Sequence, residues 1–204
     1  MSRRNKNKNS NQNRDTVTFT EKDFLPTTRS EMEAKGWDYC DIILVSGDAY
    51  IDSPFIGVAM VGRMLERMGY RVGMIGQPDI NSADDISRLG EPRLYWGVSG
   101  GSVDSMVSNY TATKKFRNTD DYTPGGKNDK RPDRALSVYC NLIRRHFKDT
   151  APIVLGGIEA SLRRVTHYDY WSNKLKKPIL FDSKADILIY GMGEIALEEL
   201  TKAI

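Results

Sequence analysis

Apolar positions along the chain alternate between two textures: short β-branched runs and stretches with helical spacing. Ile42-Ile43-Leu44-Val45, closed by Ser46-Gly47, is apolar at every position, as a strand buried between two helical layers requires. From about Ile56 the period changes. Val58, Val61, Leu65 and Met68 return on one helical face, and Gly69 stops the helix in the left-handed conformation that glycine takes most easily. Arg71 to Ile75 and Leu94 to Val98 predict a second and a third strand. Between them Ser82 reads as the N-cap of a helix opening at Ala83-Asp84-Asp85, and Val103 to Tyr110 predicts a short helix. Asp133 is placed to cap a helix with Leu136, Tyr139, Cys140, Ile143 and Phe147 on one face. Arg144, Arg145, His146 and Lys148 crowd its last turn, where positive charge suits the helix dipole. Ile153-Val154-Leu155 is the fourth predicted strand and Ile187-Leu188-Ile189-Tyr190 the fifth. A last helix runs from Ile195 through Leu197 and Leu200 to Ile204 with no terminator, which predicts a fragment of a longer protein.

Strands joined by helices require crossovers and a parallel sheet. The predicted architecture is a three-layer α/β domain of Rossmann or flavodoxin type, with a mainly parallel five-stranded sheet. Two stretches break the alternation. Residues 1–20 are Asn-rich and basic with almost nothing apolar, and predict a disordered tail ahead of a domain over 21–204. Residues 111–134 carry seven basic and four acidic side chains around Pro124-Gly125-Gly126, a length of polar chain that predicts a functional or interaction surface.

Composition adds a few limits. Lys plus Arg is 30 and Asp plus Glu 27, for a net +3. Residues 1–15 alone supply +4 through Arg3, Arg4, Lys6, Lys8 and Arg14 against Asp15, so the remainder is close to neutral. That argues against a nucleic-acid footprint over the whole domain. The longest apolar run, Ile56 to Gly62, falls far short of the roughly 18–20 residues of a membrane span, so no membrane partner is expected. No apolar stretch follows the N-terminal charges as a secretory signal would need. Cys40 and Cys140 stand 100 positions apart, with neither metal-ligand spacing nor a disulfide framework, which suits a reducing, cytoplasmic setting.

In an open parallel sheet, ligands bind beyond the carboxyl ends of the strands. Four of those ends run into small residues: Ser46-Gly47-Asp48, Ser99-Gly100-Gly101, Gly156-Gly157-Ile158-Glu159 and Gly191-Met192-Gly193-Glu194. Glycine lets backbone N–H groups approach a ligand, and a following helix start favours an anion. The candidate cofactor-binding residues are therefore Gly47, Asp48, Gly100, Gly101, Gly156, Gly157, Glu159, Gly191, Gly193 and Glu194, around a cleft for a flat or phosphorylated ligand. Tight strand–helix turns need glycine too, and that reading stays open beside the first. If Gly101 and Gly157 line a ligand surface, valine there blocks binding and spares the fold. Asp48, Asp52, Asp104, Glu159 and Glu194 share this edge, as ribose holders, bases or helix caps. A second cluster, Arg163-Arg164-Val165-Thr166-His167-Tyr168-Asp169-Tyr170-Trp171, reads either as an anion or ring site or as a buried aromatic turn. His146, in a basic helix end, reads as a surface residue. No dinucleotide fingerprint, P-loop, hydrolase triad, zinc set or iron-cluster set is present, and no catalytic or metal residue is assigned.

Several of these segments together resemble the N-terminal domain of the YgiQ family of radical SAM proteins, from about Phe24 to the end. The resemblance rests on Gly47-Asp48-Ala49-Tyr50-Ile51-Asp52, Gln77-Pro78-Asp79, Tyr122-Thr123-Pro124-Gly125, Lys130-Arg131-Pro132-Asp133-Arg134, Gly156 to Arg164, His167 to Trp171 and Asp182 to Asp186. More broadly, Pro54 to Gly57, Gly69 to Val72, Gly156-Gly157 and Gly191 to Glu194 resemble the cobalamin-binding-like domain that precedes many radical SAM barrels. The resemblance implies an accessory domain of a radical S-adenosylmethionine enzyme of unknown substrate. In such a parent a Cys-x-x-x-Cys-x-x-Cys motif beyond Ile204 holds a [4Fe–4S] cluster in a downstream barrel, which would be this domain's partner. Ser53-Pro54 stands where the family often has His-Pro, and the Asp-x-His-x-x-Gly pattern that anchors cobalamin is absent, which argues against histidine-ligated cobalamin. The residues leave two alternatives: a free-standing nucleotide- or cobalamin-binding module, or a domain that binds RNA through its tail and the 111–134 segment.

Overall fold

The computed structural model describes Thr20 and residues 23–204, so the tail predicted over 1–20 lies, Thr20 apart, outside the described residues. The elements are α1 (Arg29–Ala34), β1 (Ile42–Ser46), α2 (Gly57–Arg67), β2 (Val72–Gly76), α3 (Asp84–Ser87), β3 (Tyr95–Ser99), α4 (Ser105–Asn109), α5 (Ala135–His146), β4 (Ile153–Gly156), α6 (Gly157–Leu162), β5 (His167–Asp169), β6 (Lys174–Lys176), α7 (Ile179–Ser183), β7 (Ile187–Leu188) and α8 (Glu194–Ala203). A 3₁₀ turn spans Pro124–Gly126. The predicted fold class holds: β2-β1-β3-β4-β7 is a five-stranded sheet, parallel at every pairing. The order reverses between β1 and β3, the switch point where a doubly wound sheet leaves a crevice.

The three layers follow from strand geometry, since successive side chains point to opposite faces. Ile43 and Val45 of β1 join Trp96, Ile153 and Leu155 against Leu136, Tyr139, Cys140 and Ile143 of α5. Ile42 and Leu44 join Tyr95, Val72 and Val154 against Leu65 of α2 and Leu197 of α8. Every residue of β1 is buried, as its unbroken apolar run demands.

Several details depart from the sequence reading. The deepest residues of α2 are Ala59, Gly62 and Leu65, while Val58, Val61 and Met68 are only partly buried against the same core. Gly62 admits Leu25 and Leu44 so closely that a Cβ would collide with Leu25. Asp133 does not cap α5. Arg134 holds that position, and the Asp133 carboxylate accepts from Asn109 Nδ2 at 2.8 Å and Tyr110 OH at 2.9 Å. Ser82 sits one residue before the Ala83 N-cap, although its hydroxyl still accepts from Asp84 N at 3.3 Å. The fifth strand is shorter than predicted. In α8, Thr201 rather than Ile204 completes the buried face, and its hydroxyl meets Tyr95 OH at 2.7 Å. The β5–β6 hairpin and α1, α6 and α7 have no counterpart in the sequence reading.

Candidate functional site

A cleft of about 430 Å³ opens at the carboxyl edge of the sheet, over the ends of β1, β3, β4 and β7. Gly101, Gly156, Gly157, Gly191, Gly193 and Glu194 line it, so six of the ten predicted binding residues meet in one place. The rest of the lining is mainly apolar, with Val98, Leu155 and Ile189 below and Phe55, Ile158 and Met192 at the mouth. This apolar mouth has no local sequence signal, because Phe55 and Met192 lie 137 positions apart and only the fold brings them together. Phe55 is 93% exposed, Met192 88% and Ile195 73%. Gly191 N donates to Ser161 Oγ at 3.0 Å, which holds the loop before α8 against α6, whose Ile158 and Leu162 are also exposed.

Gly47, Asp48, Gly100 and Glu159 are absent from the cleft lining. They lie in or against a buried ionic layer. Arg131, with its side chain fully buried, donates from Nη2 to Asp48 Oδ1 at 2.7 Å, from Nη1 to Gly100 O at 2.7 Å and from Nε to Asp120 Oδ2 at 3.2 Å. Asp48 Oδ2 accepts from Ser102 N at 2.6 Å. A Cβ on Gly47 would collide with Gly100 O, and one on Gly101 with Asp48 and Arg131. These glycines permit the close approach of two loops. Valine at Gly101 therefore disrupts the fold rather than only a ligand surface, and Gly157, at φ +84 with a Cβ position 2.7 Å from Ser99 Oγ, behaves likewise.

Of the five candidate carboxylates, Glu194 alone lines the cleft. Glu194 is the first residue of α8 and makes no side-chain cap. Asp52 pairs with Arg63. Asp104 caps α4, accepting from Met106 N at 3.0 Å, and pairs with Arg163. Glu159 accepts from Ser105 N at 3.0 Å and Leu136 N at 3.4 Å. Burial, and then the nearby Asp104 charge, push its carboxyl above the usual 4.5.

The Arg163–Trp171 cluster does not form one site. Arg163 is buried against Asp104, whereas Arg164 lies outside, its guanidinium 5.2 Å from the Tyr190 ring centre. The aromatic end forms the turn of the β5–β6 hairpin. Trp171 packs on Tyr110 at 5.4 Å, and Tyr170 OH donates to Ala112 O at 2.8 Å. Arg134 Nη2 holds Asp169 Oδ2 at 2.7 Å. The 111–134 segment packs back on the sheet edge: Gln77 Nε2 donates to Thr123 Oγ1 at 2.6 Å and Ala49 N to Tyr122 O at 3.0 Å. It nonetheless keeps Lys114, Lys115, Arg117, Lys127 and Lys130 exposed.

The donor set does not fit a [4Fe–4S] cluster. Cys40 and Cys140 are both buried in the core, and burial pushes each thiol up to about 12, far from the thiolate that iron requires. Among the described residues no three His, Cys, Asp or Glu side chains group as a metal site. Neither His146 nor His167 lines the cleft, so histidine-ligated cobalamin does not fit there either. Among the described residues no helix is long and apolar enough to cross a membrane.

Comparison with known proteins agrees with the motifs. Residues 24–204 match the family described as Radical SAM N-terminal. A UPF0313 protein of Fusobacterium nucleatum is 61% identical over 182 residues, covering 89% of this chain and 32% of that protein. A UPF0313 protein of Thermotoga neapolitana is 60% identical over 181 residues, with 89% and 32% covered. One from Shewanella oneidensis is 53% identical over 186 residues, with 91% and 24% covered. The chain thus spans about a third or less of the length of these relatives. No solved structure matches it.

Proposed function

The chain belongs to the radical SAM N-terminal family, and on that premise we propose that it is the accessory domain of a radical S-adenosylmethionine enzyme of unknown substrate. The observation that carries this reading is the family match over residues 24–204, a stretch that makes up only about a third of its relatives. The parent would bind a [4Fe–4S] cluster on three thiolates of a barrel in the same polypeptide, leaving one iron for S-adenosylmethionine, whose reductive cleavage supplies the radical. The buried, unpaired cysteines favour a reducing cytoplasm as the setting.

This chain's own contribution is a surface. Phe55, Ile158, Leu162, Met192 and Ile195 expose more apolar area around one edge than a free surface needs, and we assign that rim to packing against the rest of the polypeptide. The cleft beneath would take the flat, apolar part of a ligand enclosed at that junction. Gly156, Gly157, Gly191 and Gly193 would let it approach the backbone, and Glu194 would accept a hydrogen bond from it. The Arg131–Asp48 layer would hold the cleft's loops in place. The cleft also favours a second reading, a nucleotide- or other flat-ligand-binding module that acts without a barrel.

Anaerobic reconstitution with iron and sulfide tests the first reading. The full-length Fusobacterium relative is expected to take up a cluster and to release 5′-deoxyadenosine from S-adenosylmethionine under a strong reductant. The 204-residue chain alone is expected to do neither. A full-length relative that binds no cluster would leave only the binding module. A stoichiometric cluster on this chain would refute the ligand count given above.

A further inference from the structure

A second, smaller cavity lies outside the cleft, where the start of α5 meets the end of α6, the β5–β6 hairpin and α7. It measures about 270 Å³ and is lined by Arg134, Ser137, Arg163, His167, Lys176 and Asp182. We propose that it is a binding site for the free hydrogen phosphate ion. The proposal does not depend on the radical SAM reading.

Four observations carry it. First, Arg163 is a buried cation with donors to spare. Its side chain is 10% exposed and Nη1 is paired with Asp104, but among the described residues Nε and Nη2 have no partner. A guanidinium has five N–H donors, and those left unused at the wall of a cavity suit an oxyanion. Second, His167 and Lys176 are directly opposed across the antiparallel hairpin, so both side chains leave the same face. Lys176 has no ion pair among the described residues. Third, His167 Nδ1 lies 3.1 Å from Val165 O, and a carbonyl can only accept, so Nδ1 carries the proton. In the neutral imidazole Nε2 is then a bare acceptor. It is buried and has no partner, a cost that a P–OH group would remove by donating to it. Fourth, the volume is several times the roughly 30 Å³ share of one water, enough for a tetrahedral ion with bridging water.

The charges narrow the ligand. Arg163 and Arg134 are each matched by a carboxylate, Asp104 and Asp169, and the cavity lining holds one further carboxylate, Asp182, beside the cation of Lys176. The local sum is near zero, so the cavity does not act as a simple anion trap. Its lining offers donors from Arg163, Lys176 and Ser137 and includes two acceptor side chains, the Asp182 carboxylate and His167, whose Nε2 has no partner. Hydrogen phosphate matches that set, accepting on its bare oxygens and donating from its hydroxyl. Sulfate, fully ionised at neutral pH, has no proton for Nε2.

The test is titration of the chain at pH 7.5 with inorganic phosphate, glycerol phosphate and sulfate at matched ionic strength, followed by calorimetry and by ³¹P line broadening. Phosphate is expected to bind saturably and about tenfold more tightly than sulfate. Lys176→Gln should weaken it about tenfold, with the unliganded melting temperature unchanged, because Lys176 has no partner to lose. His167→Phe, which keeps a planar ring but has no acceptor, should abolish the preference for phosphate over sulfate. Lys174→Gln, on the same hairpin, should leave binding within about twofold. Glycerol phosphate, which like sulfate has no proton for Nε2 at this pH, should bind more weakly than phosphate, and binding at least as tight would overturn the P–OH contact and the assignment of hydrogen phosphate. No saturable phosphate binding, or equal binding by Lys176→Gln and the unaltered chain, overturns the proposal.

Discussion

Arg131 and Asp48, 83 positions apart in the sequence, meet at 2.7 Å with neither side chain more than 2% exposed. The same guanidinium holds Gly100 O and Asp120. One side chain thus ties the polar stretch after α4 to the ends of both β1 and β3, at the point where the strand order reverses. The 111–134 segment is a strap across the sheet edge as well as an exposed basic surface.

Removing one partner of a buried ion pair leaves the other charge uncompensated, at a cost of about 3–5 kcal/mol. Arg131→Met is therefore expected to lower unfolding free energy by that amount, measured by urea titration. Arg131→Lys keeps the charge but loses the planar fork to Asp48 and Asp120, and should recover less than half of it. A loss under about 1 kcal/mol for Arg131→Met would show that the pair contributes little.

Adjacent glycines separate ligand space from backbone demand. Gly156 has extended backbone, φ −150, and nothing lies within 4 Å of where its Cβ would stand. Gly156→Val should cost no more than about 1 kcal/mol while filling part of the cleft. Gly157→Val combines φ +84 with a collision at Ser99 and should cost at least about 1–3 kcal/mol. Chemical denaturation with binding of an apolar dye reads both effects. Equal destabilisation by the two would remove the distinction.

The sequence was most legible where one side chain answers to one neighbour. β1 is apolar on both faces because helices cover both, and Gly69 has the positive φ that its place after α2 implies. The core-facing side of α2 is legible in Val58, Val61, Leu65 and Met68, but its closest contact is not, because that needs the absence of a side chain at Gly62. α1 carried a signal that went unread, the capping box of Thr28 and Glu31. The β5–β6 hairpin had no local signature, since its aromatic turn is fixed by Tyr110 and Ala112, some 60 positions away. Gly47 and Gly100 resembled cleft residues because a loop beside a ligand and a loop over a buried ion pair both exclude a Cβ.

The hairpin should be pH-sensitive. Burial opposes the charge of Asp169, but hydrogen bonds from Arg134 and Ser172 outweigh it and hold the carboxyl well below its usual 3.8. A depressed carboxyl stabilises the fold above its unfolded value and loses that contribution as pH falls towards the folded one. Asp169→Asn should cost roughly 1–3 kcal/mol at pH 7, as loss of hydrogen bonds to a charged group does. The gap from the unaltered chain should then narrow as pH drops below about 4. A gap that stays constant from pH 7 to pH 3 would mean that the carboxylate charge is not what holds the hairpin.

The exposed rim gives the last expectation. Phe55, Met192 and Ile195 are between 73% and 93% exposed, so replacing them removes almost no contact within the domain. The triple variant Phe55→Ser, Met192→Ser, Ile195→Lys should therefore stay within roughly 0.5 kcal/mol per site in stability. Its apolar-dye fluorescence and its self-association at high concentration should both fall, because a contiguous apolar patch is what such probes find. In a full-length relative, substitutions at the aligned positions should speed limited proteolysis at the junction between this domain and the remainder. Only the loss of an interdomain contact predicts both results together, a domain of unchanged stability and a looser junction. If the triple variant unfolds, the rim is part of the domain's own packing. If the junction resists protease as before, the rim faces solvent or another partner.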